Sequence, residues 1–263
     1  MKKFLILIST LSMLNAAELD LGFGAGAMVY PDYLGSKNEN ILFIPYPYIS
    51  YASENLTIDR DGLEGRLFSG SDFSLQVSAS GSLPVESSGA REGMSDLDPA
   101  LEIGPALVYD IYTSKDLSLK LDLPLRAVFS TDFKGVDYRG HLLELRAEIE
   151  YNVNDYLFQL HTGGVWANQK YNDYLYGVGI NDATTTRPLY EGKAGYNGYK
   201  TSIGVSKKFD HIWAGAFARH YNLSHNAFSD SPLKEKNSAI YGGVFVAYIF
   251  DDALSRSIKK WVE

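Results

Sequence analysis

One stretch, Leu117–Phe129, limits what this chain can fold into more than any other. It reads Leu-Ser-Leu-Lys-Leu-Asp-Leu-Pro-Leu-Arg-Ala-Val-Phe. Leu117, Leu119, Leu121, Leu123, Leu125, Ala127 and Phe129 share one parity, while Ser118, Lys120, Asp122, Pro124 and Arg126 share the other. Side chains alternate across a strand with period two, so the stretch is a strand with one apolar face and one charged face. At roughly 3.3 Å per residue it is long enough to cross a bilayer obliquely, for which a strand needs about 9–11 residues. Its leucines therefore face either a soluble core or lipid.

The N-terminus bears on that choice. Met1-Lys2-Lys3 is a short basic segment, Phe4–Leu14 is apolar apart from Ser9, Thr10 and Ser12, and Ala16 and Ala17 offer small residues for cleavage. Residues 1–16 read as a removable secretory leader, and the apolar run is too short for a spanning helix. No other window approaches the roughly 18 apolar residues of a helical span. Export without helical spans leaves the periplasm, secretion or an outer-membrane barrel. A mean hydropathy of −0.15 suits a soluble protein, but it also suits barrel strands, half of whose residues face the lumen.

Further strands are read at Leu19–Tyr30, Ile41–Ala52, Leu56–Phe68, Phe73–Leu83 and Leu101–Tyr112, then at Leu142–Tyr151, Tyr156–Ala167, Tyr171–Val178, Tyr196–Phe209, Ile212–Tyr221 and Ala239–Phe250. Within Leu56–Phe68, Asp59-Arg60-Asp61-Gly62 is either a turn between two short strands or lumen-facing charge in one. The expected fold is an all-β antiparallel transmembrane barrel of about 12 strands, with 10–14 allowed because the connections on both sides of some strands are short. One domain over residues 17–250 is expected, with no linker or repeat to divide it. The last strand alternates Val244, Val246, Tyr248 and Phe250 and ends on an aromatic. Residues 251–263 follow as a periplasmic tail; Leu254, Ile258 and Trp261 fall on one face of a short amphipathic helix if the tail is ordered.

The chain has no Cys and a net charge of −8. These exclude disulfides and thiolate chemistry and disfavour nucleic acid, which needs a basic surface. Only His220 and His225 are close in sequence, and with Ser224 they supply the residue types of a Ser/His hydrolase. A dyad needs base and nucleophile in hydrogen-bond reach with a third group to orient them, so these read as polar loop residues instead. Asp96-Leu-Asp98 and Asp59-Arg-Asp61 lack the ligand spacing of a calcium loop and read as turn capping and lumen pairing. Gly163-Gly164 and Gly242-Gly243 match no phosphate loop and read as kinks or room for neighbours in a curved sheet. No catalytic, cofactor-binding or metal residue is assigned, and no cofactor is expected. One pairing has physical content. If Leu117–Phe129 and Leu142–Tyr151 pair with positions summing to about 270, Arg126 faces Glu144 and Lys120 faces Glu150, with Asp122 diagonal to Arg146. Pro124, lacking an N–H, is expected near a rim or bulge.

Several stretches together resemble one family. They are Tyr30-Pro-Asp-Tyr-Leu-Gly-Ser36, Asp59-Arg-Asp-Gly-Leu-Glu-Gly-Arg-Leu-Phe68, Gly93-Met-Ser-Asp-Leu-Asp-Pro-Ala-Leu-Glu-Ile-Gly-Pro105 and Leu123-Pro-Leu-Arg-Ala127. Arg187-Pro-Leu-Tyr190, Ala194-Gly-Tyr196, Gly215-Ala-Phe-Ala-Arg219, Asp230-Ser-Pro-Leu233 and Tyr248-Ile-Phe250 continue the series. In order along almost the whole mature chain, they resemble the MipA/OmpV outer-membrane proteins. The resemblance implies a non-enzymatic barrel in the outer membrane, in contact with its lipid. For the founding members it implies a scaffold joining a murein lytic transglycosylase to a penicillin-binding protein. A passive channel or uptake protein for small solutes is the alternative, motivated by the charged lumen parity. A lipid hydrolase and a soluble periplasmic β-sandwich are the remaining readings.

Overall fold

The computed structural model describes residues 18–52, 56–59, 62–70 and 72–250. The expected leader at 1–16 and the tail at 251–263 lie outside these residues. Among them are twelve strands: β1 (Glu18–Pro31), β2 (Glu39–Ala52), β3 (Leu56–Asp59), β4 (Gly62–Ser69), β5 (Phe73–Ser82), β6 (Ala100–Thr113), β7 (Leu117–Thr131), β8 (Val136–Val153), β9 (Tyr156–Ala167), β10 (Gly195–Phe209), β11 (Ile212–Asn222) and β12 (Ser238–Ile249). Each pairs antiparallel with its sequence neighbours, and β1 pairs with β12, which closes the barrel. Closure removes the two end strands of an open sheet, a condition for standing in a bilayer, and among the described residues β2 and β3 are joined by two residue pairs.

The leucine face points outward. Leu125 is 45% exposed, against 7% for Arg126 beside it. The same parity rule puts Phe43, Ile103, Leu145, Ile203, Val244, Val246 and Tyr248 on the outside. A contiguous apolar band of this kind has no place in water and a natural one in lipid.

The long connections share one end of the barrel. Residues 114–116, 154–155 and 210–211 make tight turns at one end. Residues 32–38, 83–99, 168–194 and 223–237 make longer loops at the other. The expected total of about twelve holds because two assignments offset each other. Leu56–Phe68 is two strands, β3 and β4, so the Asp59–Gly62 turn reading is the right one, although residues 60 and 61 themselves lie outside the described residues. Tyr171–Val178 is no strand. Residues Gln169–Tyr176 form a helix, α1, whose first turn is capped by the Asn168 side chain accepting from the Tyr171 amide at 3.1 Å.

Most of residues 130–140, between the two stretches read as strands, is strand as well. β7 and β8 run on to a four-residue turn, 132–135, where the Asp132 carboxylate accepts from the Lys134 and Gly135 amides. Those two bonds hold the Asp132 carboxyl below the usual carboxylate range. A bulge at Val128/Phe129 separates this extension from the rest of the pair. The β7–β8 register is therefore two positions from the expected one: Asp122 faces Arg146, Lys120 faces Glu148, and Arg126 faces Leu142. A shift of two preserves parity, so every charge remains in the lumen.

Pro124 is at neither a rim nor a bulge. It is among the most fully buried residues, in the middle of β7. Its edge toward β6 keeps a partner, Ala106, and the ladder toward β8 skips Leu123 and Pro124 and resumes in unchanged register at Leu125 and Leu143. A missing donor on one edge costs a local gap while the flanking pairs hold the register.

The largest buried apolar cluster is in the long loops, outside the barrel wall. Tyr33, Val85, Met94, Leu97, Tyr176, Val178, Leu223, Phe228 and Leu233 pack into one cap, with Leu223, Phe228 and Leu233 wholly buried.

Candidate functional site

Beneath the cap is a chamber of about 500 Å³, within the size range of small-ligand sites. Parity fixes what lines it. On β6, β7, β8 and β10 the inward positions include Glu102, Arg126, Glu144 and Lys200. On β2, β11 and β12 they include Tyr46, Trp213, Phe217 and Phe245. In ring order β12 stands opposite β6, and β1 opposite β7. The chamber therefore has a wall of paired charges on one side and, on the other, aromatic rings with Arg219 among them on β11.

On the charged wall Arg126 is 3.2 Å from Glu102 and 3.0 Å from Glu144, and it donates to the Ser78 hydroxyl at 3.2 Å. Glu144 also holds Lys200. Toward the short-turn end, Arg146 bridges Asp122 and Glu148. These charges are nearly all buried, and burying a charge is tolerable only where it is paired. The Arg126–Glu144 pairing expected from sequence thus forms, as a diagonal contact inside a larger network.

On the opposite wall the Tyr46 and Tyr48 rings lie 5.7 and 5.5 Å from Trp213, and Tyr46 lies 5.2 Å from Phe245. Small residues give these rings room: Gly24 pairs with Tyr46, and Gly26 and Gly215 pair with Phe245. The Gly163-Gly164 pair serves two ends. A side chain on Gly163 would strike the backbone of Leu145, while Gly164 lies beneath the Trp166 ring.

The ceiling is built from side chains that donate to backbone carbonyls of other loops. Arg91, almost fully buried, donates to Leu175 O at 3.0 Å and Ser95 O at 3.2 Å. Arg187 donates to Asp182 O, Ala90 O and Glu92 O at 2.8–3.0 Å. Tyr33 donates to Leu233 O at 2.7 Å, Tyr176 to Leu34 O at 3.0 Å, and the Ser231 hydroxyl to Tyr176 O at 2.8 Å. The Tyr176 and Phe228 rings stack with centroids 3.7 Å apart. Asn172 and Asn197 exchange amide hydrogen bonds at 2.9 and 2.6 Å. Burial pushes the Tyr33 and Tyr176 phenols above their ordinary value and the Arg91 guanidinium below its own. All three stay in their usual charge state near neutrality, so the ceiling is built of fixed donors.

Tyr30–Ser36, the first part of Gly93–Pro105, Arg187–Tyr190 and Asp230–Leu233, four of the stretches that carry the family resemblance, meet in this cap. Nothing in their spacing revealed that they meet, because they are far apart in sequence and each is short and irregular. The one local signal was a Pro or Gly in each.

The hydrolase candidates are placed differently. His220 is exposed and lies on the outward parity of β11, beside the inward Tyr221, while Ser224 and His225 belong to the following loop. The Ser224 amide donates to the Asn222 side chain, and His225 takes a left-handed turn at φ 55°. Asp96 accepts from the Ser87 amide at 2.6 Å, the turn capping expected of it. Among the described residues no group of three or more His, Cys, Asp or Glu is placed to hold a metal.

Solved structures with a similar course of strands are outer-membrane barrels. A NanC porin shares 11% identity at a TM-score of 0.40, covering 88% of this chain and 99% of that one. The CymD monoaromatic hydrocarbon channel shares 11% at 0.36, covering 95% and 92%. Outer membrane phospholipase A from Escherichia coli shares 13% at 0.32, covering 87% and 92%. At this distance the likenesses carry no functional argument. No curated relative matches the chain. The family described as MltA-interacting protein MipA matches residues 23–250, the barrel and its cap together. With its lipid-facing band and closed sheet, the chain is an outer-membrane protein, and it belongs to the MltA-interacting protein MipA family.

Proposed function

We propose that this barrel is a non-enzymatic docking protein for murein-remodelling enzymes, delivered by a leader over residues 1–16. Its partners on this reading are a lytic transglycosylase and a penicillin-binding protein. The observation that carries the reading is the family match over 23–250, whose name records an interaction with MltA. The architecture is consistent with it. The short-turn end presents exposed polar tips at Lys115, Asp116, Asn154, Asp155 and Asp210, held by tight hairpins that keep their shape on binding. Mild crosslinking of envelopes followed by purification should recover both enzyme classes. Exchanging Asp116, Asp155 and Asp210 for Lys should reduce recovery several-fold; clean isolation of the barrel alone would overturn the reading.

The chamber supports a second reading, a passive path for small solutes. Planar-bilayer recordings separate the two, because a solute path must conduct and a docking protein need not. A silent wild-type protein removes the second reading.

A further inference from the structure

We propose that the chamber under the cap is a binding site for a small aromatic monocarboxylate, its anionic head on Arg219 and its ring on the aromatic wall. The proposal concerns occupancy of the chamber, and it stands whether or not enzymes dock outside or solutes cross. It rests on three features of the lining.

The first is a cation without a carboxylate. The Asp, Glu, Lys and Arg side chains lining the chamber are Asp32, Asp98, Glu102, Arg126, Glu144, Lys200 and Arg219, and His161 lines it too. Arg126 is matched by Glu102 and Glu144, and Lys200 by Glu144. Arg219 is in no ion pair among the described residues. Its Nε–H is buried with no hydrogen-bond acceptor among them, and its bond to Tyr221 meets a neutral phenol. Arg219 pairs in register with Ser202, and Tyr221 with Lys200, so the two cations are diagonal neighbours on the lumen face. A carboxylate matches the guanidinium fork with its two oxygens and relieves the repulsion between the two cations.

The second is what surrounds that cation. Tyr221 and Phe217 occupy the inward positions on either side of Arg219 on β11, and Tyr241 faces it on β12. The Tyr221 and Tyr241 rings lie 5.6 Å apart on its cap side, and the Phe217 and Phe245 rings 6.2 Å apart on the other. Tyr46, 5.2 Å from Phe245, extends the second pair. A flat ring packs on such a surface with a gain beyond the area it buries. One small molecule with a ring and a carboxylate meets both features at once, and the chamber volume of about 500 Å³ accommodates it.

The third is the charge of the cap end, which limits the ligand to one negative group. Asp32 and Asp98 belong to cap loops, and neither is in an ion pair among the described residues. Asp32 is held by neutral donors, the Asn38 and Asn40 amides and the Ser88 hydroxyl. Asp98 stands just before β6, which lies across the ring from β12. A second anionic group, reaching from Arg219 toward that side, meets these carboxylates and is repelled.

The test is calorimetric titration of the purified barrel with benzoate, its neutral isostere benzamide, and terephthalate, which adds a carboxylate at the far end of the ring. Benzoate should bind saturably, with benzamide and terephthalate each roughly tenfold weaker. Arg219→Gln should bring benzoate down to the level of benzamide, with heat-modifiable mobility in SDS gels showing that the barrel still closes. Phe245→Leu should weaken benzoate and benzamide alike, since it removes ring surface and leaves the charge. No saturable heat with benzoate would overturn the proposal, as would benzamide or terephthalate binding the wild type as tightly as benzoate does. Those comparisons need no variant to fold. Tighter binding of the zwitterion para-aminomethylbenzoate would also overturn it, because Asp32 or Asp98 would then be a second binding group. So would a retained preference for benzoate over benzamide in folded Arg219→Gln, which would move the anion to Arg126 or Lys200.

Discussion

At the residue scale, Glu144 is the position on which the charged wall depends. It is 1% exposed and holds both Arg126 and Lys200. Glu144→Gln should destabilise the barrel by about 3–5 kcal/mol, because it leaves Lys200 buried without its carboxylate and Arg126 with Glu102 alone. Adding Lys200→Met should recover part of that loss, with a coupling of roughly 0.5–3 kcal/mol measured by urea unfolding in lipid vesicles. Additive losses would show that the two side chains do not share a network. A second contrast concerns curvature. A methyl on Gly104 would fall on the backbone carbonyl of Leu125, whereas one on Gly135 meets nothing within 4 Å. Gly104→Ala should cost about 1–3 kcal/mol, the range for overpacking, while Gly135→Ala stays near neutral in the same unfolding assay. Equal effects would mean the sheet relaxes around Gly104. The sequence showed that Arg126, Glu144 and Asp122 share the lumen, since parity alone decides that. It did not show the two-position register, because the bulge at Val128/Phe129 and the turn at Asp132–Gly135 set it from outside the charged stretch.

At the element scale, the strands with clean alternation were legible and the loop-end elements were not. β5, β7, β8 and β12 alternate because one face meets lipid and the other the lumen. α1 was misread because Tyr174, Tyr176 and Val178 mimic alternation over a short span, although Asn168 stood three residues before Tyr171 as a cap signal. The β3–β4 break was announced by Asp61-Gly62, a hairpin signal in its own right. The cap had no sequence signature, since its contacts join loops far apart in the chain. Arg187 ties residues 182, 90 and 92 together through their carbonyls. Arg187→Ala should leave those carbonyls short of a donor and loosen the cap by about 1–3 kcal/mol. Limited proteolysis should then cut within 83–99 or 168–194 several times faster than in wild type, with the heat-modifiable barrel intact. An unchanged cleavage rate would mean the apolar packing around Phe228 and Leu233 holds the cap by itself.

At the scale of the whole molecule, the chain inverts a soluble protein. Its leucines face out, its charges are paired within, and its largest apolar core is a lid woven from loops over a chamber. The alternation of Leu117–Phe129 fixes the two faces but not which is inside; closure of the sheet through β1 and β12 decides that. The direct measurement uses the absence of cysteine. Single cysteines placed at Leu121, Leu123 and Leu125, and at Val108 and Val128, are labelled with a fluorophore in vesicles containing brominated lipid. The three leucine positions should be quenched by the lipid, and the two valine positions should not. Quenching at Val108 and Val128 instead, or equal quenching at all five, would contradict the outward leucine face on which the account stands.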